Sequence, residues 1–312
     1  MSYITGGNIQ SADYNAFATL AGGMNEVYAD LYPGATTLPT AAYGYGQTPA
    51  LTTVSGTILA TDWASLFSVM RKCGTHQGTI VTPPVPASGP LSGNDIAVFN
   101  TPSTMASIVA LLGTNRHNLA VGQSTLISGT NYAQTGATIP WTNTLTWTCQ
   151  VDFSSWNNAR YFFNSGGFLG LNGSYSPIST PEDTQWDSML TAMSPLVFNW
   201  NSTTPNTGTG GTSIGFYNLT TSYQTIYTKT FGGGGSYTNS YIQVQGKLNA
   251  TAGTNGLVDF TIALIDADVT PNAKNGTTTY RVDNTKASGA SISYPGPLVT
   301  VAVGANNGFV AT

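Results

Sequence analysis

The sequence predicts an α+β protein that is mainly β: an N-terminal helical and extended segment, then an antiparallel, jelly-roll-like β-sandwich. Three observations predict it. Helical periodicity is concentrated in the first third of the chain. After Ile139 the pattern changes to period two, and short alternating runs follow one another between turn clusters. Between these regions, Thr82–Pro90 carries closely spaced prolines, which favour an extended spacer and preclude a helix. The resulting division is 1–81 helical and extended, 82–95 a proline-rich linker, 96–138 a short helical connector, and 139–312 the sandwich with one inserted helix.

The helices are justified in turn. Ser11 is placed as an N-cap for a first helix reaching about Leu31, with Tyr14, Phe17, Leu20 and Met24 at helical spacing and Gly22-Gly23 as its weak point. Thr61 and Asp62 open a second, whose stripe is Trp63, Leu66, Phe67 and Met70. Arg71 and Lys72 suit its last turn and Gly74 its end. Ser103 or Thr104 caps a third, with Met105, Ile108, Val109 and Leu112 on its apolar face and Gly113 at its stop. Thr180-Pro181-Glu182-Asp183 combines a cap, a first-turn proline and two acids, and introduces the stripe Trp186, Met189, Leu190 and Met193.

Strands are expected at Trp141–Cys149, Leu196–Trp200, Ser213–Asn218, Tyr223–Thr230, Ser240–Leu248, Leu257–Ile265, Thr277–Val282 and Leu298–Val303. Their separators are Gly232–Gly235, Thr251–Gly256 and Asn272–Gly276. No fixed-period repeat is found, which argues against a propeller or solenoid.

Composition narrows the function. Charged residues make up 7 % of the 312, where a soluble domain carries roughly a quarter. Nine Lys+Arg cannot build a phosphate-tracking surface, so no nucleic-acid partner is expected. The 16 Tyr, 12 Phe and 6 Trp argue against disorder and supply a core. The opening MSYITGGNIQSADYNAF has neither a basic n-region nor a continuous apolar h-region, and no stretch approaches a membrane span. Cytosolic synthesis without membrane insertion is therefore expected, with Cys73 and Cys149 as buried free thiols.

Residues able to carry chemistry are few. Cys73 and His76 have Cys-x-x-His spacing, but the remaining supply for a structural zinc is Cys149 and His117, without paired spacing. No metal or cofactor is expected. Asp266 and Asp268 are two apart at a strand end, which suits a glycosidase pair or a calcium site; a solvated turn explains them more simply. Helix-start electrostatics account for Glu182 and Asp183. Neither a Gly-x-Ser-x-Gly elbow nor a His-Glu-x-x-His motif occurs. Gly208, Gly210, Gly211 and Gly215 lack the strand–turn–helix context of a nucleotide loop. The tyrosines Tyr217, Tyr223, Tyr227, Tyr237 and Tyr241 cluster, as in a glycan-binding surface or, more simply, a core or subunit interface. No catalytic residue is assigned, and a non-enzymatic protein is expected.

Two segments are more specific. One runs through Gly44-Tyr45-Gly46-Gln47, Val54-Ser55-Gly56-Thr57-Ile58, Ala60-Thr61-Asp62-Trp63 with Leu66, and His76-Gln77-Gly78. The other is Ala159-Arg160-Tyr161-Phe162-Phe163-Asn164-Ser165-Gly166-Gly167, with Trp186 further on. Both resemble blocks of virion structural proteins of cyanophage-type tailed phages. In the second, Arg160 reads as an anchor for a Phe162-Phe163 strand, with Asp152 as partner.

The resemblance implies a tail, collar or fibre component, located in the virion, assembled in the host cytoplasm and released by lysis. Residues 1–81 would then dock to other virion proteins. Homo-oligomerisation is expected, because Tyr- and Thr-rich β surfaces with little charge are comfortable when partly covered. A module binding a host surface glycan, a depolymerase built on Asp266 and Asp268, and a capsid decoration protein are the alternatives.

Overall fold

The computed structural model describes residues 11–18, 23–29, 43–81, 102–135, 141–231, 238–267, 274–304 and 309–312. The expected linker at 82–95, the glycine run Gly232–Gly235, Tyr237 and Asp268 lie outside them. The chain is mainly β with helices at its N-terminal end, and it divides into two compact units. The first takes in the described residues of Met1–Thr125, together with Arg160–Gly166 and Lys286–Pro295. The second comprises Leu126–Ala159, Gly167–Thr285 and Gly296–Thr312.

Four helices build most of the first unit: α1 (Ser11–Ala18), α2 (Met24–Tyr28), α3 (Ala60–Gln77) and α4 (Pro102–Thr114). The single helix expected over Ser11–Leu31 is thus two, α1 and α2, on either side of Gly22-Gly23. Tyr14, Phe17, Met24, Val27, Trp63, Leu66, Phe67, Met70, Met105, Ile108 and Leu112 form one core. Each fully buried large apolar side chain there contributes roughly 1.5–3 kcal/mol.

The extended stretch between α2 and α3 is fastened by two asparagines. Asn25 Nδ2 donates to the Leu51 carbonyl (2.7 Å), and its Oδ1 accepts from the Leu51 N–H (2.8 Å). Asn15 does the same for Val54 (2.8 and 2.9 Å). Each side chain satisfies one residue's backbone as a neighbouring strand would.

The ends of α3 differ from expectation. The helix starts at Ala60, so Thr61 is inside it. Asp62 Oδ2 accepts from the Leu59 N–H (2.8 Å) and supplies the capping that Leu59 cannot. Gly74 does not end α3; a Cβ there would lie 2.5 Å from Val81 Cγ2, so its glycine serves close approach. Gly78, at φ +69°, is the left-handed cap. In α4, Ser103 and Thr104 fall inside a helix that begins at Pro102, and the helix passes through Gly113 to Thr114.

In chain order the remaining elements are β1 (Ser124–Ile127), β2 (Tyr132–Thr135), β3 (Thr144–Asp152), α5 (Trp156–Asn164), β4 (Phe168–Ser176), α6 (Pro181–Met193), β5 (Leu196–Phe198), β6 (Thr203–Thr204), β7 (Gln224–Thr230), β8 (Tyr241–Leu248), β9 (Leu257–Ile265), β10 (Thr277–Ala287), β11 (Thr300–Val303) and β12 (Val310–Ala311). They form two antiparallel sheets. One has the order β12-β2-β10-β4-β5-β6, with β1 alongside β10; the other runs β11-β3-β9-β8-β7.

Alternation sets the register. Leu145, Trp147, Cys149 and Val151 of β3 face the same side as their partners Leu264, Ile262, Phe260 and Val258 of β9. Rings from the two sheets meet as Phe198–Phe260 (centroids 5.2 Å) and Trp147–Tyr280 (5.4 Å), the interior of a sandwich-like arrangement.

Two segments read as strands fold otherwise. Ser213–Asn218 sends the N–H groups of Phe216 and Tyr217 to the carbonyls of Asn199 and Trp200, and closes as a single 3-10 turn at Phe216–Asn218. Phe162-Phe163 lies in α5. Trp156, Ala159 and Phe163 recur there at helical spacing and are all buried.

Candidate functional site

The most chemically loaded place in the second unit is a buried triad. Asp266 follows β9 and is fixed by its own N–H, which donates to the Asn143 carbonyl (2.8 Å). Lys274 precedes β10 and donates its N–H to Trp141 O (2.9 Å). Glu182 sits in the first turn of α6, whose start Thr180 and Asp183 cap reciprocally.

These elements bring Lys274 Nζ to 2.7 Å from Asp266 Oδ2 and 2.5 Å from Glu182 Oε1. The three side chains are 3 %, 0 % and 11 % exposed, respectively. Ser240 Oγ donates to Asp266 Oδ1 (3.2 Å). Apolar walls close the cluster: Nζ lies 5.8 Å from the Trp141 ring centroid, and Trp141 packs edge-on against Trp186 (5.4 Å). Burial pulls the Lys274 pKa down, but the two carboxylates outweigh it and raise it above the ordinary lysine value.

Such a cluster can hold the fold as an ion pair, or move protons between an amine and two carboxyl groups. Asp266 was legible as a carboxylate at a strand end, but its environment is the opposite of a solvated turn. The partner Lys274 carries no local sequence signal, and Glu182 does double duty at the helix start.

In the first unit, the two blocks singled out in the sequence converge. Asn164 Nδ2 donates to the carbonyls of Tyr43 (2.8 Å) and Gly44 (3.0 Å), and Arg160 donates to Tyr43 O (3.1 Å). His76 Nε2 lies 3.0 Å from the Ser165 carbonyl and donates to it. The Tyr45 hydroxyl donates to Arg116 O (2.7 Å) and accepts from Gln77 Nε2 (2.8 Å). Gly46, at φ +67°, faces the Tyr161 ring, which leaves no room for a Cβ. Asp152, the expected partner of Arg160, accepts from the Ser154 N–H (2.6 Å).

Burial pushes the His76 pKa down to about 4, only partly offset by its bond to Ser165. Burial, then the neighbouring Arg116 charge, lowers His117 to about 3. Both histidines are therefore neutral at pH 7.

The tyrosine cluster separates. Tyr217 and Tyr227 are buried and Tyr241 is half-buried. Tyr223 is 42 % exposed, with Lys247 Nζ 4.8 Å from its ring centroid. Lys247 also pairs with Asp259 (3.6 Å), whose other oxygen accepts from Gln150 Nε2 (2.8 Å). Cys73 and Cys149 are buried free thiols, both with pKa pushed up by burial. Among the described residues, no three His, Cys, Asp or Glu side chains gather as a metal would require, and no helix is long and apolar enough to cross a membrane.

Compared with protein-family models, curated proteins and solved structures, the chain matches none.

Proposed function

We propose that this chain is a non-enzymatic virion structural protein of a tailed phage, a tail, collar or fibre component that works by assembling with copies of itself and with other virion proteins. The observation that carries the reading is the outer face of the five-stranded sheet. Alternation puts Thr146, Thr148, Thr261, Gln243, Gln245 and Thr225 on that face, all half-buried, with Lys247–Asp259 as a charged pair among them. A hydrogen-bonding face so poor in charge has little to keep other copies off it. The convergence of the two phage-like blocks on one buried junction adds support, since the resemblance then concerns one structure rather than two scattered segments.

Light scattering on the full chain tests the assembly step. A concentration-dependent oligomer that Thr261→Arg dissociates is expected. A monomer at every concentration, together with absence of the protein from purified virions by mass spectrometry, would overturn the proposal. Exposed Tyr223 favours a second reading, a site for a host surface glycan, because an exposed ring with an ammonium beside it suits a sugar. Glycan binding that Tyr223→Ala abolishes would favour that reading.

A further inference from the structure

We propose that Lys274 and Asp266 condense into an intramolecular isopeptide bond, with Glu182 carrying the protons. Three features of the triad lead there. The nucleophile and the carboxyl group are in contact: Nζ lies 2.7 Å from Oδ2, so forming the bond needs no diffusive encounter. A second carboxylate, Glu182, touches the same nitrogen and is placed to take its proton. Burial among Trp141 and Trp186 also disfavours separated charges and keeps out bulk water, which would reverse the condensation.

The step balances within the triad. The Lys274 ammonium passes one proton to Glu182, which hands it to Asp266 Oδ2, so that a neutral amine faces a neutral carboxylic acid. The Nζ lone pair attacks Cγ, and the C=O electrons move onto Oδ1, where the Ser240 hydroxyl stabilises the developing charge. Glu182 then moves a second proton from nitrogen to the departing oxygen. The C–Oδ2 bond breaks, one water leaves, and Glu182 is again a carboxylate. The product is a neutral secondary amide whose carbonyl is Oδ1, still bonded to Ser240. Neither oxidant nor co-reactant is needed, and an opposite-charge pair that is costly to bury is replaced by an uncharged link between the end of β9 and the start of β10.

Intact-mass spectrometry of the full chain, denatured after incubation at neutral pH, reads the bond directly. The wild type is expected one water lighter than its sequence. Trypsin should fail to cut after Lys274 and should release a single peptide, Leu248–Arg281, lighter by the same water. Glu182→Gln and Lys274→Arg should each have the full mass of their sequences. A wild type of full mass overturns the proposal whatever the variants do. So does a one-water loss with Lys274 still cleaved, which would mean a succinimide at Asp266. A Glu182→Gln protein that still lacks one water overturns the proton-carrying role.

Discussion

The two units treat buried polar groups in opposite ways. The first unit aims its buried polar groups at backbone, one charged side chain included: Asn25 at Leu51, Asn164 and Arg160 at Tyr43, His76 at Ser165. The second gathers one ammonium and two carboxylates in a single cluster walled by tryptophans. A neutral bond exchanges water for a carbonyl at modest net gain, and losing it leaves single unsatisfied groups. A charge cluster depends on every member, because each charge is tolerable only beside the others. A chain with few charges thus concentrates part of its risk in one place.

Breaking the cluster should have the largest effect. Relative to the wild type before it condenses, Lys274→Met leaves Asp266 and Glu182 buried near each other without a cation and should cost about 3–5 kcal/mol in urea unfolding. The triple change Lys274→Met, Asp266→Leu, Glu182→Met should recover much of that loss, since an apolar cluster of similar volume has no charge to desolvate. A Lys274→Met protein as stable as the wild type would mean that the charges are hydrated in solution.

The matching change in the first unit is smaller. Asn25→Ala removes both bonds to Leu51 and leaves a buried N–H and C=O without those partners, an expected cost of about 1–3 kcal/mol. Asn25→Asp tests the mechanism: a carboxylate can still accept from the Leu51 N–H but repels its carbonyl, so it should be no better than alanine. If Asn25→Asp matches the wild type, the side chain is not acting as a paired donor and acceptor.

These contrasts also explain how much was legible beforehand. Strand β9 was expected at Leu257–Ile265 and is found there, because strict alternation leaves only one face to bury. The start of α6 was equally readable, since cap, proline and acid are adjacent in sequence. Helix α5 is hidden in the sequence because Tyr161-Phe162-Phe163 has strand-like composition, whereas its period is visible only when Trp156 and Ala159 are included. Gly74 reads as a helix end in the sequence because glycine has two uses, and only the approach of Val81 tells them apart. The triad was half-visible. Asp266 stands out at a strand end, but its partners come from a distant helix and from the residue leading into β10, and no local pattern links them.

The last prediction separates the units by pH. In the unfolded chain His76 and His117 take up protons near the ordinary 6.5, whereas in the fold they resist until about 4 and about 3. Between these values unfolding binds protons, so stability is full above about pH 6.5 and falls as the pH drops, by at most about 1.4 kcal/mol per pH unit for each histidine. The groups around them do not reverse the sign: Arg116 opposes protonation of His117, and the Tyr45 ring beside His76 (5.0 Å) stays neutral, its pKa raised chiefly by burial. The triad behaves differently. While the triad is uncondensed, the raised pKa of Lys274 gives a contribution fully present below about 10.5 and lost only as the pH rises beyond it; once Lys274 is an amide it does not titrate at all. Hydrogen exchange at pH 7, 6 and 5, corrected for intrinsic rates, should therefore show α3 losing protection first while β9 and β10 keep theirs. Equal loss in both units would place the acid-sensitive step outside the histidines. No loss down to pH 5 would mean that the two rings are hydrated enough to titrate normally in the folded protein.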